Sequence, residues 1–283
     1  MIRLIGIDVD GTLLDSNGHL PDANRDAIHA AVAAGIHVSL VTGRSYPFAR
    51  PVADSLPSTV TLIVSSGAVE RAMDGGTLAR RLLKRDVARR VLESTRDVRE
   101  HTAVIFDRDE ERQIIFESMD WTHPNRQGYW NRNHRLIDRA TPLEASLVED
   151  PIQVMFNGDP AAMRELSESL RESAGRGVDA PDTYSVSLTE YLHRAFSLVD
   201  ITAPDATKGR ALLWRAGQLG IDREEVMAVG DNFNDVDMLE SAGVAVVMAN
   251  ADPTLHRPGW HRTGHQNDAG LAQAIERFAL SGT

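Results

Sequence analysis

The chain begins with a short apolar run that ends abruptly in two carboxylates and a glycine. Residues 4–7 have the composition of a buried strand, and Asp8, Asp10 and Gly11 follow it closely. Side chains two positions apart on an extended backbone point to the same side, so we expect Asp8 and Asp10 to converge. Two adjacent carboxylates are stable when a cation lies between them or when one keeps its proton. The segment is compatible with a cation site and equally with an ordinary capped turn after a strand.

The composition narrows the classes of protein to which the chain can belong. It has 283 residues, 42% of them hydrophobic, which is enough for one large or two ordinary domains with a sizeable core. A net charge of −11 argues against a nucleic-acid partner, because binding a duplex requires a basic face. The absence of cysteine excludes disulfides, thiolate metal sites and thiol catalysis. No segment has the pattern of a signal peptide or a membrane span, so we expect a soluble, cytoplasmic protein.

Apolar runs and helix-like segments alternate over the first part of the chain. The strands predicted at residues 36–41 and 60–64 end in polar residues, as the first strand does. Such alternation with short links predicts right-handed crossovers and a parallel sheet. Ligands of these sheets bind beyond the carboxyl ends of the strands, where the polar residues lie. The predicted fold class is therefore α/β, with a doubly wound parallel sheet.

The pattern changes in the middle of the chain. Residues 81–195 combine a basic helical segment with strand-like runs, including a hairpin with its turn at residues 109–110. This pattern predicts a separate α+β unit inserted into the first domain. The core domain would then consist of residues 1–80 and 196–283, and the apolar run at residues 197–201 would return the chain to the core sheet.

Two later clusters complement the carboxylates of the first strand. Thr42, Gly43 and Arg44 follow the second strand, and the segment 230–235 (GDNFND) follows a strand at residues 226–229. Three carboxylates near one point suit Mg²⁺, which prefers oxygen ligands. A hydroxyl, a backbone N–H, an amide and an ammonium are groups that bind the oxygens of a phosphoryl group. A carboxylate can also attack phosphorus and form an aspartyl phosphate.

Lysine usage indicates which ammonium is involved. Of the 30 basic residues, only Lys84 and Lys208 are lysines. A lysine in a chain that otherwise uses arginine is expected where a compact point charge is needed instead of a guanidinium fork. Lys208 is expected to supply that charge from a strand end near the other polar clusters, and Lys84 is expected to be an ordinary solvated side chain.

Together these segments resemble the four motifs of the haloacid dehalogenase superfamily, and in particular its Cof-type phosphatases. The matching segments are residues 8–14 (DVDGTLL), 41–44 (VTGR), 208–209 (KG) and 230–238 (GDNFNDVDM). The resemblance spans nearly the whole chain and implies that the inserted unit is a cap domain that selects the substrate. The activity that it implies is Mg²⁺-dependent hydrolysis of phosphate monoesters of small metabolites, such as sugar phosphates, through an aspartyl phosphate.

The resemblance also implies a role for each residue of the motifs. The catalytic residues would be Asp8 as nucleophile, Asp10 as general acid and base, and Lys208 as the cation that neutralises Asp8. Phosphate would be bound by Thr42, Gly43, Arg44, Lys208 and Asn234. The ligands of Mg²⁺ would be Asp8, Asp10 through its backbone carbonyl, Asp231 and, close by, Asp235. Arg44 has a second interpretation, because it would equally well pair with a surface carboxylate.

Other functions remain compatible with these motifs. A phosphotransferase or phosphomutase on the same scaffold would pass the phosphoryl group to a sugar hydroxyl instead of water. A non-catalytic metabolite-binding protein would keep the pocket, although it would have no need of Asp10. In each case the expected partner is a small phosphorylated metabolite, with neither nucleic acid nor membrane involved, and the chain would be a monomer or homodimer.

Three features of the chain have weaker interpretations. Ser66 stands where the family usually has asparagine, which would change recognition of the leaving group. Residues 121–135 mix aromatic and basic side chains, as in a stacking lid over the substrate or a cap loop with packed aromatics. Glu190 and His193 lie near the predicted return to the core and would be placed to meet the leaving group.

Overall fold

The structure of the chain is a computed structural model. It describes residues 1–108, 111–174, 183–191 and 195–281, without the side chains of residues 125 and 132. The turn predicted at residues 109–110 and the side chain of His193 lie outside this part of the chain. Within the described ranges, no helix is long and apolar enough to cross a membrane.

Strands and helices occur throughout the part of the chain that the structure describes. The strands are β1 (Leu4–Ile7), β2 (His37–Val41), β3 (Thr61–Val64), β4 (Val69–Arg71), β5 (Thr77–Arg80), β6 (Thr102–Ile105), β7 (Ile114–Phe116), β8 (Ile137–Arg139), β9 (Gln153–Gly158), β10 (Ser185–Tyr191), β11 (Phe196–Thr202), β12 (Val226–Gly230), β13 (Val244–Val247) and β14 (His261–Arg262). The helices are α1 (Asp22–Ala33), α2 (Tyr46–Ala49), α3 (Arg85–Ser94), α4 (Pro124–Asn133), α5 (Pro160–Ala174), α6 (Lys208–Gln218), α7 (Val236–Ser241) and α8 (Gly270–Ile275).

The chain divides into two compact units. Unit 1 consists of Met1–Arg80 and Thr207–Thr283, and unit 2 consists of Arg81–Ala206. The second boundary therefore lies after residue 206, beyond the position at residue 196 that the sequence pattern predicts. The difference arises because the apolar run at residues 197–201 belongs to the sheet of unit 2.

The sheet of unit 1 has eight strands in the order β14-β13-β12-β1-β2-β3-β4-β5. From β14 to β3 each strand is parallel to its neighbours, and β4 and β5 are antiparallel additions at one edge. The predicted α/β class with a parallel sheet is confirmed. β1 lies between β2 and β12, so the connections from β1 lead to opposite sides of the sheet. The carboxyl end of β1 is therefore the switch point, where sheets of this kind bind ligands.

The central strands of unit 1 are buried on both faces, as strands of a parallel sheet covered by helices must be. All four residues of β1 are buried. Leu4 packs in one apolar cluster with Leu212 of α6 and Met238 of α7. This continuous burial explains why the strand appears in the sequence as an uninterrupted apolar run, and it leaves polar side chains for the strand ends.

The sheet of unit 2 has six strands in the order β10-β11-β9-β6-β7-β8, antiparallel except for the β7–β8 pair. The predicted hairpin is present as the pairing of β6 with β7.

The prediction that residues 197–201 rejoin the core sheet is wrong, since β11 pairs with β9 and β10. Val199 and Ile201 pack in the unit 2 core with Met163 and Leu170 of α5. An inner antiparallel strand thus carries the same apolar residues as a buried parallel one.

Asp200 of β11 is a buried acid whose partner is neutral. It is 5% exposed, and Gln153 Nε2 donates a hydrogen bond to Asp200 Oδ1 over 2.9 Å. Burial raises the pKa of Asp200 to about 7. The folded chain therefore keeps a proton that the unfolded chain releases near its ordinary pKa of about 4. The free energy of unfolding should fall as the pH rises through this interval.

Asp200→Asn is expected to remove this pH-dependent cost, because asparagine stays neutral and still accepts the bond from Gln153. At about pH 8 the substitution should raise the free energy of unfolding by a few kcal/mol, and at about pH 4 it should change it little. Urea denaturation of both proteins at the two pH values measures the difference. A gain that is larger at the lower pH would contradict a protonated Asp200.

Candidate active site

Asp8 lies directly after β1 and is 5% exposed. Its backbone N–H donates to Val229 O over 3.0 Å, which fixes the residue beside the end of β12. The chain then turns through Val9–Leu13, where Gly11 has a φ of 93°. A Cβ at Gly11 would collide with the Asp231 carboxylate. Glycine is therefore required both for the turn and for the approach of Asp231 to this loop.

Lys208 reaches Asp8 from the first position of α6, so it lies at a helix N-terminus and not at the end of a strand of the core sheet. Lys208 is 2% exposed, and its Nζ donates to Asp8 Oδ1 and to Asp235 Oδ1, each over 2.6 Å. Burial alone would lower the pKa of Lys208, but the Asp235 and Asp8 carboxylates outweigh burial and raise the pKa. The ammonium is therefore charged and offsets two of the buried carboxylates.

Asp235 organises the loop after β12. It is fully buried, and its Oδ2 accepts the backbone N–H groups of Asp231 and Asn232, each over 3.0 Å. The loop held in this way presents Asp231 to the first loop, where Thr12 Oγ1 donates to Asp231 Oδ1 over 3.3 Å. Asp235 therefore positions both Asp231 and the ammonium of Lys208.

Asp8, Asp231 and Asp235 form an acidic group that fits a divalent cation. Each offers a carboxylate oxygen, and these oxygens lie within 4.8 Å of one another. Burial, together with the charge of Asp235, raises the pKa of Asp8 to about 7, while Lys208 opposes the rise. Burial and the charges of Asp8 and Asp235 also raise the pKa of Asp231. Crowded carboxylates with too little positive charge are the oxygen-rich setting that Mg²⁺ stabilises.

Asp10 has a different environment from Asp8, although only one residue separates them. β1 ends at Ile7, so the alternation expected of an extended strand does not continue to Asp10, whose side chain is 47% exposed. Arg44 Nε and Nη2 donate to the two carboxylate oxygens of Asp10 over 2.8 and 2.6 Å. The carboxylate of Asp10 is not part of the acidic group found among the described residues. Of the two interpretations of Arg44, the structure contains the pairing with a carboxylate.

The loops after β2 and β3 support each other next to this site. Thr42 is 1% exposed, and its Oγ1 accepts the N–H of Arg44 over 3.1 Å. The N–H of Gly43 has no hydrogen-bond partner in the described part of the chain, so it is available to a ligand. Ser66, which has a φ of 56°, donates its N–H to Thr42 O over 3.0 Å. This is a left-handed backbone conformation, which asparagine tolerates better than serine does. Ser66 is therefore more strained here than an asparagine would be.

Asn250 is a residue of the site that the sequence interpretation misses. Its Nδ2 donates to Gly11 O over 2.8 Å and to Asp231 Oδ2 over 3.2 Å. The available signal is its place just after β13, a strand that ends at the same edge of the sheet. Asn234 is also at this edge, and its buried Oδ1 has no hydrogen-bond partner within the described ranges. It is an acceptor left open for a ligand or water.

Comparisons with known proteins show the family to which this site belongs. The model of the haloacid dehalogenase-like hydrolases matches residues 5–275. The phosphoglycolate phosphatase of Methanothermobacter thermautotrophicus is 27% identical over 278 residues, covering 98% of this chain and 99% of that protein. The 5-amino-6-(5-phospho-D-ribitylamino)uracil phosphatase YcsE of Bacillus subtilis is 25% identical over 280 residues, covering 99% of this chain and 96% of that protein.

A solved structure shows the same fold. It is a phosphatase of the haloalkanoate enzyme superfamily from Bacteroides thetaiotaomicron, with a TM-score of 0.77 and 22% identity, covering 99% of this chain and 96% of that one. The family match extends over the motifs that hold the buried acidic group and Lys208. The chain therefore belongs to the haloacid dehalogenase-like hydrolases and is a phosphatase of the Cof type.

Proposed function

We propose that this phosphatase hydrolyses phosphate monoesters of small metabolites, with Mg²⁺ as cofactor and an aspartyl phosphate on Asp8 as intermediate. The observation that supports this most directly is the buried ammonium of Lys208, which lies 2.6 Å from both Asp8 and Asp235. It holds the carboxylate of Asp8 in one orientation at the switch point of the sheet. A purely structural strand end would have no need of two buried carboxylates on one buried lysine with a third carboxylate beside them.

In the first step, an oxygen of Asp8 attacks phosphorus and the ester P–O bond breaks. Asp8 Oδ1 accepts the bond from Lys208, which leaves Oδ2 to form the new bond. Asp10 enters this step as the protonated acid and gives its proton to the leaving oxygen. In the second step, Asp10 takes a proton from water, whose oxygen attacks the phosphorus of the acyl phosphate and releases Asp8 and inorganic phosphate.

The phosphoryl oxygens would be bound by groups that converge on the strand ends. Thr42 Oγ1, the N–H of Gly43 and the ammonium of Lys208 are donors, and the amide of Asn234 supplies one more. Mg²⁺ would be held by Asp8 and Asp231, with Asp235 behind them, and would neutralise charge that develops on the transferred group.

The pairing of Arg44 with Asp10 imposes a condition on this mechanism. Both oxygens of Asp10 accept hydrogen bonds from Arg44, so at least one of these bonds has to break before Asp10 exchanges a proton with the leaving oxygen. A bound phosphoryl group attracts the same guanidinium. We therefore propose that Arg44 moves from Asp10 to the substrate. It would then pair with a carboxylate before the substrate binds and bind the phosphoryl group afterwards.

The proposed substrate class rests on the relatives and on the charge of the chain. The names of the two relatives describe phosphatases of phosphoglycolate and of a phosphorylated ribitylaminouracil, which share a phosphate ester and differ in the group that leaves. The net charge of −11 does not favour nucleic acid. We propose that unit 2 is the cap domain that selects the leaving group, with residues 81–206 as its bounds, and that the enzyme is cytoplasmic.

Phosphate release from a panel of phosphorylated metabolites is expected to require Mg²⁺. EDTA should reduce release to background and added Mg²⁺ should restore it, because the cation neutralises the acidic group and the transferred phosphoryl group. Asp231→Asn should raise the Mg²⁺ concentration needed for half-maximal release, and Asp26→Asn, at an exposed position of α1, should not.

Two outcomes of this experiment would contradict the proposal. Equal release with EDTA and with Mg²⁺ would exclude the cofactor. Transfer of the phosphoryl group to an added sugar, without release of inorganic phosphate, would indicate a phosphotransferase instead.

A further inference from the structure

Unit 2 contains a cavity of about 190 Å³ on the face of its sheet opposite the apolar core. Along β9 and β11 the residues that pack into that core alternate with residues that line the cavity, namely Met155, Asn157 and Leu198. Arg126 and Tyr129 of α4 line the cavity from the other side. The cavity therefore lies between a sheet and a helix of the same unit.

The cavity is lined largely by aromatic side chains. Trp121 packs edge-on against Phe116 with ring centroids 5.1 Å apart, and it lies 4.9 Å from the ring of Trp130. Of the two interpretations of residues 121–135, packed aromatics are present, and part of the segment is the helix α4 instead of a loop. A cavity of about 150 Å³ admits one benzene molecule, so the present cavity is large enough for a single substituted ring.

One charged group faces this aromatic cavity. Arg126 is 7% exposed, and its bonds are to neutral groups: Nε donates to Asn157 Oδ1 over 2.8 Å, and Nη2 lies 2.5 Å from His101 Nδ1. No carboxylate of the described residues lies within ion-pair distance of Arg126. Nη1 makes no hydrogen bond to any residue that the structure describes. Arg126 is thus a buried cation with a free donor and no carboxylate in contact with it, and Asp120 and Glu100 act on it only at longer range.

A buried guanidinium without an anion in contact is energetically unfavourable, because its hydration is lost and no opposite charge at contact distance replaces it. Burial accordingly lowers the pKa of Arg126, and the more distant charges of Asp120 and Glu100 only partly oppose this effect. An anionic oxygen that reached Nη1 would supply the missing charge and accept the free hydrogen bond. An aromatic ring bearing that oxygen would be held by the surrounding aromatic side chains through stacking and edge contacts.

We propose that this cavity binds a planar ring that carries a carboxylate or another anionic oxygen, with the ring among Trp121, Tyr129 and Phe116 and the anion on Arg126. Binding of such a ring does not depend on hydrolysis, so a failure of the proposed function leaves it unaffected. Only the assignment of the ring to a leaving group rests on the proposed function.

Calorimetric titration of the full chain tests this site with benzoate as the probe. Benzoate should bind about tenfold or more tightly than cyclohexanecarboxylate, which keeps the charge but is not planar. It should show a similar advantage over benzyl alcohol, which keeps the ring but lacks the charge. Equal binding of the three compounds, or no binding of benzoate, would overturn the proposal.

Two variants remove the site in different ways. Arg126→Gln removes the charge, and Leu198→Trp fills the cavity from β11; each should weaken benzoate binding about tenfold or more. Arg135→Gln, at an exposed position just beyond α4, is the matched control and should leave binding unchanged. Thermal unfolding checks that each variant is folded. If Arg126→Gln does not fold, Leu198→Trp decides alone, and unchanged binding by it would overturn the proposal.

A second pair of measurements identifies the source of the ring. If the ring belongs to the leaving group, Leu198→Trp lowers kcat/KM for 4-carboxyphenyl phosphate and leaves kcat/KM for glycerol phosphate unchanged. If the ring belongs to a separate ligand, benzoate changes hydrolysis of glycerol phosphate and the two esters respond alike to Leu198→Trp. Loss of benzoate binding with no effect of benzoate or of the variant on either ester would reject both sources.

Discussion

Asp8→Asn is expected to reduce phosphate release by ~10⁴-fold or more, the scale seen when a catalytic nucleophile is removed. The amide oxygen still accepts a bond from Lys208, but it does not attack phosphorus. The substitution also removes one negative charge from a crowded group, in which burial and neighbouring carboxylates raise the pKa of Asp8 and Asp231. We therefore expect the melting temperature to stay constant or to rise.

The matched control for this substitution is Asp26→Asn, which makes the same chemical change at an exposed residue that pairs with Arg25. It should retain full phosphate release. Appreciable activity in Asp8→Asn would contradict the assignment of Asp8 as nucleophile. A large fall in the melting temperature would contradict the view that its charge is unfavourable in the folded chain.

Lys208→Met is expected to lower the free energy of unfolding by about 3–5 kcal/mol, because it leaves the buried carboxylates of Asp8 and Asp235 without a counter-charge. Activity should fall by about 10²–10³-fold or more, as is usual when a group that stabilises transition-state charge is removed. Chemical denaturation and phosphate release measure the two effects.

Lys84→Met provides a close control, because Lys84 is the only other lysine of the chain. Its side chain is 72% exposed and its ammonium pairs with Asp150 over 2.9 Å, so its loss should cost about 1 kcal/mol or less. Lys208→Arg should fail to restore activity, since a planar fork does not replace a point charge between two carboxylates. Equal stability losses at positions 84 and 208 would contradict the account of the buried lysine.

The fold of unit 1 and the place of its site follow closely from the sequence. The apolar runs that end in Asp8, Thr42 and Gly230 are the parallel strands β1, β2 and β12, and β1 lies between the other two. An uninterrupted apolar run locates such strands well because both of their faces are buried. The position of the polar residues then follows from the carboxyl ends of the strands.

The sheet that a strand joins depends on pairing with distant segments, which the local sequence pattern does not reveal. β11 has the apolar composition of a core strand, yet it pairs with β9 and β10 in unit 2, and no local signal distinguishes the two sheets. The bidentate pair of Arg44 with Asp10 and the bonds of Asn250 likewise join residues far apart in the chain. Spacing along a sequence does not reveal such contacts.

In the proposed mechanism the phosphoryl group passes through Asp8. Rapid acid quenching during turnover of a phosphomonoester, followed by mass spectrometry of the peptides, tests it most directly. We expect a covalent phosphate on the peptide that contains Asp8, present with Mg²⁺ and absent in Asp8→Asn. A phosphoprotein that persists in Asp8→Asn, or turnover with no phosphoprotein at any quench time, would contradict it.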